Sequence, residues 1–333
     1  MGGERSHAPI LAVRGNPVSG KISRVSRALA LTLAVVCGTA MAAQARINGE
    51  LGSRLGNGVA AAAVSFGSGL LILLAITAAL PQARRGLRNV LGAVRGGTLR
   101  WWQCTGGAFG AALVASQGLT VTTLGVALFS VAVVCGQVTS SLLADRAGAG
   151  PGGPQPVTGP RLLGAGLALA AVAVAVADRL SATSDVALAA TAVLAGAGIA
   201  WQQAINGRVR EAAGGALPAT LLNFATGTAV LVTVLAAVTA VRGLPGQLPP
   251  EPWLYLGGSL GIVFIAVAVT IVRVLGVLLL GLGMVAGQLA GSVALDLIAP
   301  APGHQLAANT LAGTALALCA VAAGTFRRRS PAR

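Results

Sequence analysis

Two histidines, His7 and His304, and 8 acidic residues are all this sequence offers for proton transfer. General acid–base catalysis draws mostly on His, Glu and Asp. Here these residues never cluster, so an enzyme is the weaker class. The four cysteines, Cys37, Cys104, Cys135 and Cys319, are far apart, with no CxxC or Cys/His spacing for a metal site or a disulfide framework. No phosphate-binding glycine loop, HExxH, GxSxG or dinucleotide fingerprint is present, so neither a cofactor nor a metal is expected. Charge of any sign is short, at 9% against about 25% in a soluble domain. A water-exposed surface cannot be built from so little. Aromatic residues, at 3%, are too few to interleave a basic face for nucleic acid.

What is present is apolar: 55% hydrophobic residues and a mean hydropathy of +0.81. The solvent for such a chain is lipid. A membrane-spanning helix needs roughly 20 apolar residues. Ten runs qualify: 28–45, 59–80, 102–121, 124–143, 162–177, 186–205, 217–241, 253–272, 274–295 and 306–326. The third and fourth runs nearly fuse, as do the eighth and ninth, and tight turns are expected at 119–125 and 269–276. Basic residues collect on the cytoplasmic side of membrane proteins. With both ends inside, 19 of the 23 Arg and Lys fall inside, leaving only Arg46, Arg54, Arg179 and Arg242 outside. An added or missing helix would invert everything after it and spoil this ratio.

The chain also repeats itself. Gln44, Ile47, Asn48 and Gly49 match Gln202, Ile205, Asn206 and Gly207, and in the same register Gly56, Phe66 and Gly69 match Gly214, Phe224 and Gly227. Trp102–Asp145 laid over Trp253–Asp296 gives 15 identities in 44 positions, among them Gly136-Gln137 with Gly287-Gln288 and Asp145 with Asp296. Composition alone accounts for about five. The repeat settles a local ambiguity. Basic residues, an apolar run and Ala43-Gln44-Ala45 have the form of a secretory signal peptide. The same pattern recurs mid-chain, where no signal peptidase acts, so residues 28–45 are expected to be a retained first helix.

Five helices per repeat is odd, so the second copy enters the membrane from the other side. Inverted repeats of this kind are the architecture of secondary transporters, with the substrate near the midplane between the halves. The expected fold is therefore an all-α integral membrane protein, with ten transmembrane helices as two inverted five-helix repeats (28–177 and 186–326). Basic cytoplasmic tails (1–27 and 327–333) flank them.

This arrangement resembles the drug/metabolite transporter superfamily. Asn48-Gly49, Gly56, Ser65-Phe66 and Gly69, with Gly136-Gln137, Ser141 and Asp145, are similar to the YdcZ-like family in its fused ten-helix form. The resemblance implies a transporter in the cytoplasmic membrane. One departure stands out. Related small multidrug resistance proteins use a Glu within the first helix to exchange proton and cationic drug, and residues 28–45 hold no acid.

Polar groups inside spans face a cavity or another helix. Substrate contact is assigned to Gln137 and Gln288, Ser65 and Asn223, and Gln44 and Gln202, with interhelical hydrogen bonding as the alternative. A gate or coupling role falls to Asp145 and Asp296. Asn48 and Asn206 read as helix ends, since Asn-Gly suits the left-handed cap. The small residues of Gly106-Gly107-x-x-Gly110 and Gly257-Gly258-x-x-Gly261 allow close helix contact. The expected partners are a small-molecule substrate and the bilayer, with no nucleic acid. A non-transporting membrane scaffold and a channel stay open as rival readings. Protein isolated from membranes should keep residues 1–27; a mature terminus at Arg46, found by terminal sequencing, would overturn the retained helix.

Overall fold

The computed structural model describes residues 17–176, 183–298 and 308–325. These form α1 (Pro17–Leu55), α2 (Gly58–Ala79), α3 (Pro81–Arg95), α4 (Gly106–Arg146), α5 (Gly159–Val176), α6 (Thr183–Ala213), α7 (Ala216–Arg242), α8 (Gly257–Ile298) and α9 (Ala308–Thr325). No strand occurs among the described residues. Four stretches are long and apolar enough to cross a membrane: Arg27–Leu55, Gly58–Ala79, Ala216–Arg242 and Pro252–Leu295. Of the expected tails, residues 1–16 and 327–333 lie outside the described residues, and the first helix starts at Pro17, inside the segment read as a tail.

Neither α4 nor α8 is a single rod. At about 1.5 Å per residue, each would be about 60 Å long, twice the hydrocarbon core. In α8 the helix breaks at Gly276, whose φ of 75° and ψ of 170° only glycine adopts readily. This lies within the turn expected at 269–276. The two limbs run back along α1: Gly257 and Gly261 lie against Asn48 and Gln44, whereas Gly287 and Gly291 lie against Val35 and Thr39. Pairing thus falls along α1 in the first limb and rises in the second, so the chain reverses. In α4, Phe109 meets Gly198 of α6 and Val133 meets Gly196. A straight helix would hold Phe109 and Val133 about 36 Å apart. The helical run therefore also folds back between them.

The halves interlock. The first helix of each packs mainly on the hairpin of the other, α1 on α8 and α6 on α4, while α2 meets α7 and α5 meets α9. Glycine makes the contact. A Cβ on Gly38 would sit 1.9 Å from the Met284 carbonyl oxygen, and one on Gly287 would sit 1.8 Å from that of Val35. The counterparts repeat this: Gly196 against Val133 at 1.9 Å and Gly136 against Val193 at 1.8 Å.

Two features depart from expectation. Asn48 and Asn206 do not end their helices. α1 and α6 run on to Leu55 and Ala213, where the left-handed residues are Gly56 (φ 58°) and Gly214 (φ 71°). The helices continue because Leu51 and Leu55, like Val209 and Ala213, extend the buried face at four-residue spacing. The second is α3, an amphipathic helix in a segment expected to be a loop. Ala83, Gly86 and Val90 are buried on one face, and Arg84, Arg85 and Arg88 are exposed. Pro81 starts it, and Gly97 (φ 72°) follows its end.

Because the clasp leaves no room for a methyl group, Gly38→Ala or Gly196→Ala should cost about 1–3 kcal/mol. Gly67→Ala, with open space around it, should be neutral or slightly stabilising. Thermal unfolding in detergent measures both, and equal effects would refute the clasp.

Candidate functional site

At the interface of the halves, a small cavity is lined by residues that pair through the repeat: Met41 with Ile199, Gln44 with Gln202, Phe66 with Phe224, Gly110 with Gly261, Leu113 with Phe264, and Val114 with Ile265. The two-fold relation between the halves passes through it. The Phe66 and Phe224 rings lie 5.1 Å apart, tilted by 36°, and each ring occupies the space left by the other half's glycine, Gly227 or Gly69. The cavity holds about 20 Å³, the room of one water molecule, too little for a cargo in this state. Its lining carries two carboxamides and no charged group.

Behind each Gln stands a polar cluster. In the second half, Asn223 Oδ1 accepts hydrogen bonds from Gln202 Nε2 at 2.9 Å and Asn206 Nδ2 at 2.6 Å. The Asn206 carboxamide lies over Gly106. In the first half, Ser65 replaces Asn223. Gln44 Nε2 donates to the Gly257 carbonyl at 2.9 Å, and the Asn48 carboxamide and Ser65 hydroxyl, both buried, have no hydrogen-bond partner. The glycine motifs thus make room for the Asn side chains: a Cβ at Gly106 would sit 2.2 Å from Asn206 Oδ1, and one at Gly257 would sit 2.4 Å from Asn48 Oδ1.

Gln137 and Gln288, the symmetric pair on the returning limbs of α4 and α8, are buried but do not line the central cavity. Gln137 lies beside Gly281, its Nε2 without a partner, and Gln288 lies beside Gly38 in the clasp. The Phe66–Phe224 pair was not read as part of a site, although its register in the repeat carried the signal. Gln203, which donates to Met284 Sδ at 3.1 Å, was missed because its repeat partner is Ala45.

Asp145 sits at one end of the bundle, at the Gly276 break. Its carboxylate accepts from the backbone N–H groups of Val277 at 2.9 Å and Leu278 at 3.2 Å, capping the second limb of α8, and it pairs with Arg161 of α5. This one side chain joins α4, α5 and α8. A carboxylate suits the positive end of a helix, and a charged hydrogen bond is stronger than a neutral one. Beside it opens a cavity of about 340 Å³, with Arg27, Arg161 and Arg273 in its wall. Arg208 donates to the carbonyls of Gly148 and Ala149, fixing the loop after Asp145 over the end of α6. The Asp296 side chain lies outside the described residues.

Comparison with known proteins fits this geometry. A family model, DMT_YdcZ, described as "Putative inner membrane exporter, YdcZ", matches residues 29–174 and again 187–323, one match per half. No curated protein matches the sequence. A solved crystal structure superposes with a TM-score of 0.61 at 19% sequence identity, over 90% of this chain and 96% of the other, a likeness of fold.

The Asp145 knot makes a quantitative expectation. Asp145→Ala strands a nearly buried Arg161 and should destabilise by about 3–5 kcal/mol. The double variant Asp145→Ala/Arg161→Ala should lose less than the sum of the single variants. Strict additivity in detergent unfolding would show that the two residues do not act as a pair.

Proposed function

The chain belongs to the DMT_YdcZ family, and from that premise we propose a ten-helix secondary transporter that moves a small metabolite or drug-like molecule across the cytoplasmic membrane by alternating access. A transporter role in the membrane comes with the family. The two helical hairpins support this reading: if α4 and α8 each cross twice, the five helices of one half answer the five of the other. The basic ends then face the cytoplasm. The observation that carries the reading is the central cavity, whose wall is made of six repeat-related pairs. A site on the symmetry axis presents the same groups to either side as the halves rock.

The lining also limits the cargo. A charge taken out of water needs a partner, and this wall offers only carboxamides, aromatic rings and aliphatic groups. The reading is therefore a neutral molecule with an apolar body and one or two hydrogen-bonding groups. Gln44 and Gln202 hold the polar groups, with Ser65 and Asn223 behind them. Gln137 and Gln288 would meet the cargo as the hairpins part. Asp145 and, by the repeat, Asp296 act as gates that fix each hairpin's turn.

A ligand-stabilisation screen on purified protein should favour neutral amphipathic compounds over charged analogues. For any hit carried into proteoliposomes, Gln44→Leu and Gln202→Leu should each lower transport about tenfold, the worth of one lost hydrogen bond to cargo, with little change in unfolding temperature. Unchanged transport in both variants would remove the central site from the mechanism.

A further inference from the structure

The repeat relates two small hydrophobic clusters at opposite ends of the bundle. Leu51, Leu55 and Ala61 in one correspond to Val209, Ala213 and Ala219 in the other. The second cluster is completed by α3. Val90 packs into it, and Gly86 presses on Pro218 and the Ala213 carbonyl, over the turn between α6 and α7. The first cluster has no such helix over it: Leu254 completes it, and the Gly246 N–H donates to the Leu55 carbonyl. After α7 the chain runs into the proline-rich segment 243–251, which forms no helix. Over the equivalent turn, between α1 and α2, a groove of about 870 Å³ stays open.

Its walls are apolar, with Leu55 and Val59 from the turn and Val234, Val238 and Val241 from α7. Its rim carries Arg242, exposed and without an ion pair among the described residues. The neighbouring Arg54, in contrast, is neutralised by Glu50 and Glu251. The first turn of α2 opens into the same groove, with Asn57 capping only Ala60 N–H. An apolar trough at the helix ends with a free positive charge at its rim is complementary to an amphiphile bearing an anionic head.

We propose that this groove is a phospholipid site: an acyl chain lies along the α7 valines beside the segment 243–245 that forms part of its wall, and the lipid phosphate meets Arg242. The α3 of a second copy in the same orientation lies at the wrong end of the bundle to be the occupant. The proposal requires only that the chain is embedded in a bilayer, not that it transports.

The test is lipid retention by the full chain in mild detergent, read by native mass spectrometry after adding phosphatidylglycerol, phosphatidylcholine or inorganic phosphate. Wild-type protein should keep one phosphatidylglycerol molecule more than Ala237→Trp, which fills the groove from an exposed position. Ala236→Trp, off the groove, should retain lipid as wild type does. Arg242→Gln should weaken phosphatidylglycerol retention about tenfold, the worth of one charge-assisted hydrogen bond, and weaken phosphatidylcholine retention less, because the choline cation already offsets the phosphate that Arg242 meets. Equal retention by wild type and Ala237→Trp would overturn the proposal. So would protection by inorganic phosphate equal to that of the lipid, or a synthetic peptide of residues 80–97 stabilising wild type where lipid does not.

Discussion

Between two helices in hydrocarbon there is no hydrophobic drive, since lipid tails are as apolar as the side chains they replace. Cohesion has to come from contact itself, and here it comes from backbone meeting backbone at Gly38 and Gly196, and at Gly136 and Gly287. These four positions fix the distance between the first helix of each half and the hairpin of the other. Everything further along α1 and α6 inherits that spacing. The carboxamides of Gln44 and Gln202 reach the shared axis, and the Phe66 and Phe224 rings fit the hollows at Gly227 and Gly69. Neither half could close its own core, because its clasp is completed by the other.

Polar chemistry is spent at only a few places. The carboxamides near the middle are neutral, which keeps desolvation modest. A buried ion pair, Asp145 with Arg161, sits at the hairpin turn, where freed helix N–H groups also need an acceptor. Gly276 and Asp145 solve one problem together: the glycine lets the chain reverse, and the carboxylate satisfies the amides that reversal exposes.

Much of this was legible in the sequence because it rests on periodicity and on rare residues in register. The apolar runs, the Gly276 turn and the glycine motifs follow from local pattern. Asn48 and Asn206 misled because Asn-Gly is a local stop signal, whereas the helix end is decided by where the buried face runs out, at Leu55 in α1 and Ala213 in α6. The helix α3 escaped notice because a search for long apolar runs passes over fifteen residues with four arginines. Which polar pair would face the cavity could not be read at all. In sequence Gln44 ends its apolar run and Gln137 lies well inside its own, yet the clasp geometry turns Gln44 toward the axis and Gln137 toward Gly281.

Ser65 stands where the other copy has Asn223, and a hydroxyl does not bring two carboxamides together as the Asn223 oxygen does. The second half joins Gln202 and Asn206 through Asn223 and leaves Gln202 Oε1 and Asn223 Nδ2 unpartnered. The first leaves both polar atoms of the Asn48 carboxamide and the Ser65 hydroxyl unpartnered. An unmet buried polar group costs about 1–3 kcal/mol, and about 1.4 kcal/mol is a tenfold population ratio. In a carrier whose two facing states exchanged the roles of its halves, this difference would favour one facing state over the other. At this position the two copies differ, and the two halves do not hold their carboxamides alike.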